Sequence, residues 1–389
     1  MENSLIYFYN INISEIKKIK NKYYFSHNNN NYVIEKYNRN INEALSIYKL
    51  NQEMIEFGYP TFQIIPTKFN TILFENNQDN YVLMIMPKIN NRIISFNDIK
   101  QFNYIPKEES ITVELNKPNW PKLWEEKIDY YEYEFKEIKN KYPLINESMP
   151  YYIGLSENAI SYFNDNLEDD KLPKVVSHLR LNVNTDLYEF YNPLNLVIDF
   201  KERDIGEYLK DYVMNKNYTE DKLNEYITIN NNSKETIIAL ICRILFASYY
   251  FDIYEQIIKK EIKEENIKDI IDKRKNISFL LKLIFSKYKH LNIPIINWIV
   301  NYSWYNLTSF ISGTFSIIIL SIPSFKVKSC IAQFAQAPCN KIYNIPSSIL
   351  TNSIFPPSFI RNGLKSLITS ITFSSIKSPP KLYKIIFKM

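Results

Sequence analysis

The chain has 389 residues, 46% of them apolar and 15% aromatic, with a formal net charge of +5; that length suits two domains or two large lobes. The net charge hides a division: all 42 acidic residues lie at or before Asp272, where they face 32 basic ones, while the rest of the chain carries 15 basic residues and no acid. An acidic body argues against nucleic acid as its partner, three cysteines (Cys242, Cys330, Cys339) give neither a disulfide framework nor zinc spacing, and the first ten residues lack the pattern of a secretory signal. A reducing, intracellular compartment is the simplest reading.

Residues 4–11 alternate loosely and predict a first strand. Tyr23–His27 and Tyr32–Lys36 predict two more, joined by a turn over Asn28–Asn31. Gly58 is the only glycine before residue 154, so that turn falls to asparagines, which tolerate left-handed backbone. A helix is predicted from Ile41 to Phe57, with Glu43 in its first turn. Strands follow at Phe62–Ile65 and Thr71–Phe74, then a continuous apolar run, Tyr81–Met86, closed by Pro87. Residues 1–90 therefore predict a small sheet with one helix. Residues 90–118 have weak periodicity and read as a connection. Trp120, Trp124, Ile128, Tyr131, Phe135 and Ile138 recur at spacings of four, four, three, four and three, which predicts a long amphipathic helix. Asn119 can cap it and Pro121 suits its first turn. A further helix is predicted over 151–163; its Glu157 and Asn158 read as a packing polar pair.

The stretch Val175–Tyr212 carries the chemistry. A β-branched run ends at His178, a polar turn-rich segment follows, and a second apolar run, Leu194–Ile198, delivers Asp199 and Phe200. A helix is predicted from near Ile205. This pattern resembles the centre of the kinase-like fold of aminoglycoside and choline phosphotransferases: His-x-Asp, an Asn a few residues on, then a hydrophobic strand ending in Asp. The resemblance implies a base carboxylate for the substrate hydroxyl, and an Asn and Asp that hold magnesium on ATP. It places His178 at the His position, Arg180 at the base position, Asn182 or Asn184 near the metal Asn, and Asp199 at the metal Asp. It also makes Lys36 the phosphate-binding lysine of the third strand and Glu43 its ion-pair partner. A guanidinium is always charged and has no acceptor, so Arg180 cannot serve as a base. A phosphate-cradling loop needs glycines, and the hairpin has none. The centre reads as degenerate. A narrower resemblance is carried by Trp120-Pro-Lys-Leu-Trp124, by Tyr151–Ile160, and by His178-x-Arg180 followed by Ile198–Tyr212. These segments are similar to the YutH-type spore coat proteins of the CotS-like kinase-fold group, over about residues 1–300.

Beyond the centre, residues 234–260 predict one strongly apolar helix, with Arg243 interrupting its face and pairing with a carboxylate, and 267–289 predict another. From about residue 301 acids are absent and periodicity is not sustained; this segment reads as a basic low-order tail, frameshifted or read-through, with no part in the fold. Residues 291–325 are uncharged, but Asn, Ser and Pro interrupt them, so no membrane span is expected. The expected fold class is α+β, a two-lobed protein-kinase-like architecture with lobes at 1–90 and 91–300. The expected function, implied by the resemblance, is that of a catalytically inactive structural or interaction protein. It would be made in the mother-cell cytoplasm, assembled into the spore coat, and partnered by other coat proteins rather than nucleic acid. The alternative is an active small-molecule phosphotransferase using ATP and magnesium, with Asp186 or Asp199 as a displaced base.

Overall fold

The computed structural model describes residues 1–300 apart from 14, 109–111, 113, 118, 139–140, 169–171, 216–217 and 229–232. The expectations for the 301–389 tail lie outside the described residues.

The first element corrects the sequence reading. Glu2–Tyr9 form a helix, α1, closed by Asn10 in the left-handed region. Met1, Leu5, Phe8 and Tyr9 pack against the sheet core beside Phe74 and Leu83. Their spacing of four, three and one is a helical face; in so short a segment it passes for alternation.

Three strands follow, β1 (Lys17–Ile19), β2 (Lys22–His27) and β3 (Asn30–Lys36). Asn28 and Asn29 both have positive φ, 47° and 61°, as a two-residue hairpin turn matched to strand twist demands. The helix α2 (Ala44–Glu56) starts after a single 3₁₀ turn, Ile41–Glu43. It is followed by β4 (Gln63–Ile65), β5 (Phe74–Asn76) and β6 (Asp79–Ile85), and the antiparallel sheet runs β1-β2-β3-β6-β4, with β5 also on β6. Val33, Ile34, Val82, Leu83 and Met84 are buried at its centre. A helix missed by periodicity, α3 (Phe96–Gln101), opens with a capping box in which Ser95 and Asp98 satisfy each other's backbone N–H.

The chain continues through α4 (Trp120–Ile138), α5 (Pro143–Asn166), β7 (Lys174–His178), the short α6 (Leu187–Phe190), β8 (Leu196–Phe200), α7 (Glu202–Asn215) and α8 (Glu220–Tyr226). Last come α9 (Lys234–Leu245), α10 (Ser248–Ile258), α11 (Ile267–Lys287) and α12 (Asn297–Val300). It divides into two compact units, Met1–Trp120 with Glu168–Asn231, and Pro121–Leu167 with the chain from Asn232. This differs from the 1–90 and 91–300 boundaries expected from sequence. Backbone hydrogen bonds are the reason: Ile94 N–H donates to Thr185 O, Leu187 N–H to Arg92 O, Val176 N–H to Tyr104 O, and Lys117 N–H to Ile198 O. They bind the supposed connection to the β7–β8 ribbon.

The second unit is helical. Trp124 stacks on Phe246 and Tyr131 on Phe251, at 4.6 and 4.4 Å between ring centroids. Arg243 lies over the Trp124 ring at 5.9 Å, a cation–π arrangement the sequence did not predict. The expected 234–260 helix is two helices, broken at Phe246–Ala247, where the Ala247 N–H donates to Ser156 Oγ instead of continuing the helical ladder. By length and composition Lys234–Ile258 could cross a bilayer, but most of it is buried within the protein, as the core helix of a folded domain would be.

Candidate functional site: the Asp199 ribbon

All five residues of β8 are buried. The strand pairs antiparallel with β7, placing Val175 opposite Asp199 and His178 opposite Leu196. Asp199 is therefore carried into the interior, where it is 0% exposed. A buried carboxylate must be paired and hydrogen-bonded, and this one is. Its Oδ1 accepts from Trp120 Nε1 and from the Phe200 N–H, both at 2.7 Å. Its Oδ2 accepts from Arg203 Nη1, four residues along the chain. Arg203 also donates from Nε to His178 O at 2.8 Å and from Nη2 to Leu179 O. The cation beside Asp199 is thus Arg203, which the sequence reading did not single out. Helical spacing from a strand-end Asp, Asp199 to Arg203, was the available signal.

His178 is equally built in. Its Nε2 faces Phe190 O at 2.8 Å, its Nδ1 faces Asp204 Oδ2 at 2.6 Å, and its backbone N–H donates to Asp204 Oδ1. Its ring stacks on Phe190. Both nitrogens are spent on fixing the turn that carries Arg180. Arg180 itself is exposed, and its backbone is gripped on both sides by Asn195: the N–H donates to Asn195 Oδ1 and the carbonyl accepts from Asn195 Nδ2. Asn182 is exposed and closes a local turn, its Oδ1 accepting from the Asn184 N–H. The amide directed at the Arg180 backbone is therefore that of Asn195, on the Asn192-Pro193-Leu194-Asn195 turn, four residues before Asp199. Its place just ahead of an apolar run ending in Asp was the legible clue.

Lys36 lies at the end of β3, 42% exposed, and pairs with Asp79 of β6 at 2.8 Å. The expected Lys36–Glu43 pair is not made. Glu43 accepts from Arg39 Nε at 2.6 Å and from Lys117 Nζ at 3.3 Å. Arg39 in turn donates from Nη1 to the carbonyls of Leu194 and Leu196, so it is Arg39 that links Glu43 to the strand bearing Asp199. Lys22 on β2 bridges Glu35 and Glu189 at 2.9 and 3.1 Å. Asp186 is also committed, capping the Glu189 N–H and accepting from Asn91.

Two parts of a phosphotransferase site can be tested against these contacts. Magnesium wants near-octahedral oxygen ligands and usually keeps several waters. Asp199 offers oxygens already held by an indole, an amide and a guanidinium, without solvent access, and this donor set does not fit the ion. Among the described residues no group of three or more His, Cys, Asp or Glu could hold a metal. A phosphate cradle needs successive N–H groups open to the ligand; the β2–β3 connection is a closed two-residue turn. One acid remains unusual. Glu202, the first residue of α7, is fully buried, and both its carboxylate oxygens lack hydrogen-bond partners. Burial pushes its pKa up to about 7, with Lys201 opposing the rise and Asp199 adding to it.

The fold is that of the kinase-like aminoglycoside phosphotransferases. An aminoglycoside phosphotransferase from Alicyclobacillus acidocaldarius superposes with a TM-score of 0.56, covering 75% of this chain and 97% of its own, at 10% identity. Within that class the family is defined by sequence: residues 2–281 match the family described as "Spore coat putative kinase YutH", and the chain belongs to it. The endospore coat-associated protein YutH of Bacillus subtilis is 29% identical over 238 residues, spanning 55% of this chain and 69% of that protein.

Proposed function

We propose that this chain acts in the spore coat as a structural or interaction protein and does not transfer phosphate. The observation that carries the proposal is the state of Asp199, whose oxygens are consumed by Trp120, Phe200 and Arg203. Three further features support it. Arg180 stands where a base carboxylate is needed, and has no acceptor to offer. His178 is locked between Asp204 and Phe190. Lys36 is engaged by Asp79 rather than by Glu43. Membership of a spore coat family supports assembly with other coat proteins, after synthesis in the mother-cell cytoplasm. Exposed aromatic side chains such as Tyr7, Phe57, Tyr130 and Tyr133 are the kind of contact area that protein interfaces use.

The test has two arms. The full chain is incubated with ATP, magnesium and a panel of small hydroxyl and amino compounds, and its unfolding is followed with and without the nucleotide. No phosphoryl transfer and no ATP-dependent rise in Tm are expected, since saturating ligand stabilises by several kcal/mol, about 2.7 at a hundredfold excess over Kd. Turnover that disappears in Asp199→Asn sinks the reading. The coat assignment is tested separately, by fractionating spores: recovery in the core or membrane fraction rather than the coat overturns it.

A further inference from the structure

One cavity is bordered by neither Lys36 nor Arg180 nor Asp199. It is about 90 Å³, lies within the first unit, and is bordered by the α3 end (Ile99, Lys100, Phe102, Asn103), β7 (Val175, Val176, Ser177) and the start of α7 (Lys201, Asp204, Ile205). Four observations converge there. Ser177 is 1% exposed, and its hydroxyl is buried with no hydrogen-bond partner. Lys100 and Lys201 both border the space, and among the described residues neither makes an ion pair; Lys100 only lies over the Phe96 ring, 5.1 Å from its centroid. Asp204, the one acid on the wall, has its two oxygens turned to the backbone and ring of His178. The first turn of the 14-residue α7 forms one side, and such a turn presents N–H groups and the positive end of the helix dipole.

We propose that this cavity binds a single phosphate group. A buried hydroxyl without a partner costs free energy unless something supplies an acceptor. A tetrahedral oxyanion supplies one to Ser177 and also answers the two unpaired ammonium groups. The volume, about three times that of a water molecule in the liquid, admits one such group and excludes a nucleotide, so the ligand is inorganic phosphate or the phosphate end of a small monoester. Ser177 sets the depth of the anion and the lysines hold its outer oxygens. The site is independent of whether the chain turns over ATP, because it uses none of Lys36, Arg180 or Asp199.

The experiment titrates the full chain with inorganic phosphate at constant ionic strength, following ³¹P line broadening, and repeats the titration with O-phosphoserine. Saturable binding in the millimolar range or tighter is expected. Lys100→Gln with Lys201→Gln should weaken it about tenfold or more, as loss of charge-assisted contacts does, and Ser177→Ala should weaken it severalfold. Lys100 is exposed, so Lys100→Gln alone tests the site without endangering the fold, and it too should weaken binding. Preference for phosphate over phosphoserine identifies the free ion as the ligand, and the reverse identifies an ester. Broadening that never saturates, or that is unchanged in Lys100→Gln and in the double variant, overturns the proposal and leaves water as the occupant.

Discussion

Lys36 and Asp199 are the two positions at which the sequence most resembles a working phosphotransferase, and their surroundings are opposite. Lys36 ends a strand at the surface, 42% exposed, in one ion pair with an equally exposed Asp79. Asp199 ends a strand in the interior, 0% exposed, with its oxygens taken by three donors. Residue identity is kept at both, and in neither case does it fix the chemistry. Lys36 is held by a solvated carboxylate. Asp199 is built into the core as the anchor of Trp120 and Arg203. A residue that matches a motif can therefore be held by packing and pairing in quite different ways.

The largest effect is expected at Asp199. Replacing it by Ala strands the Arg203 guanidinium and the Trp120 indole in the interior, and removing one partner of a buried ion pair typically costs about 3–5 kcal/mol. Urea unfolding should show a loss of that size; a loss within experimental scatter would mean that Asp199 is not the anchor the contacts describe.

Next in size is Glu202. Its pKa in the folded chain, about 7 against an ordinary 4.5, means that folding favours the protonated form. The associated stability is fully present below pH 4.5, declines as pH rises, and is lost above about pH 7. A difference of this size corresponds to about 3 kcal/mol. Glu202→Gln removes the titration, so the stability difference between variant and parent should shift in the variant's favour by about that amount between pH 4 and pH 8. Parallel pH profiles for the two would show that the carboxylate is not desolvated.

Trp120→Phe keeps the ring packed on Phe200 but removes one donor from a buried charge, for which about 2 kcal/mol is the expected loss. Pairing it with Asp199→Asn in a double-mutant cycle should give a coupling clearly different from zero. At the small end, Lys36→Ala should leave the urea midpoint unchanged, as is usual for an exposed ion pair. A marked loss there would place Lys36 in a more structural role than its exposure implies.

Much of the scaffold was legible. The hairpin announced itself by β-rich runs around asparagines, α2 and α4 by apolar spacing, and β6 by a continuous apolar run ended by Pro87. Where the reading failed, a short-range signal was overruled or overlooked. Residues 4–11 look alternating, yet α1 forms because Leu5, Phe8 and Tyr9 find Phe74 and the sheet core. The 234–260 pattern supports one helix, yet Ser156 captures the Ala247 N–H and divides it in two. The Ser95–Asp98 capping box was visible in the sequence but lay in a stretch without periodicity.

The family and the sheet-plus-helix class were legible in the sequence, because both depend on residue type and local spacing alone. Which charges meet was not legible there. That Asp199 goes to Arg203 and Trp120, that Glu43 goes to Arg39 and Lys117 and not to Lys36, and that Asn195 rather than Asn182 holds the Arg180 backbone, all follow from strand register and burial. A charged side chain in a chain this rich in lysine and acid has many admissible partners. The strand ladder and the cost of leaving a buried charge unpaired select among them, and neither is written in any one stretch of sequence.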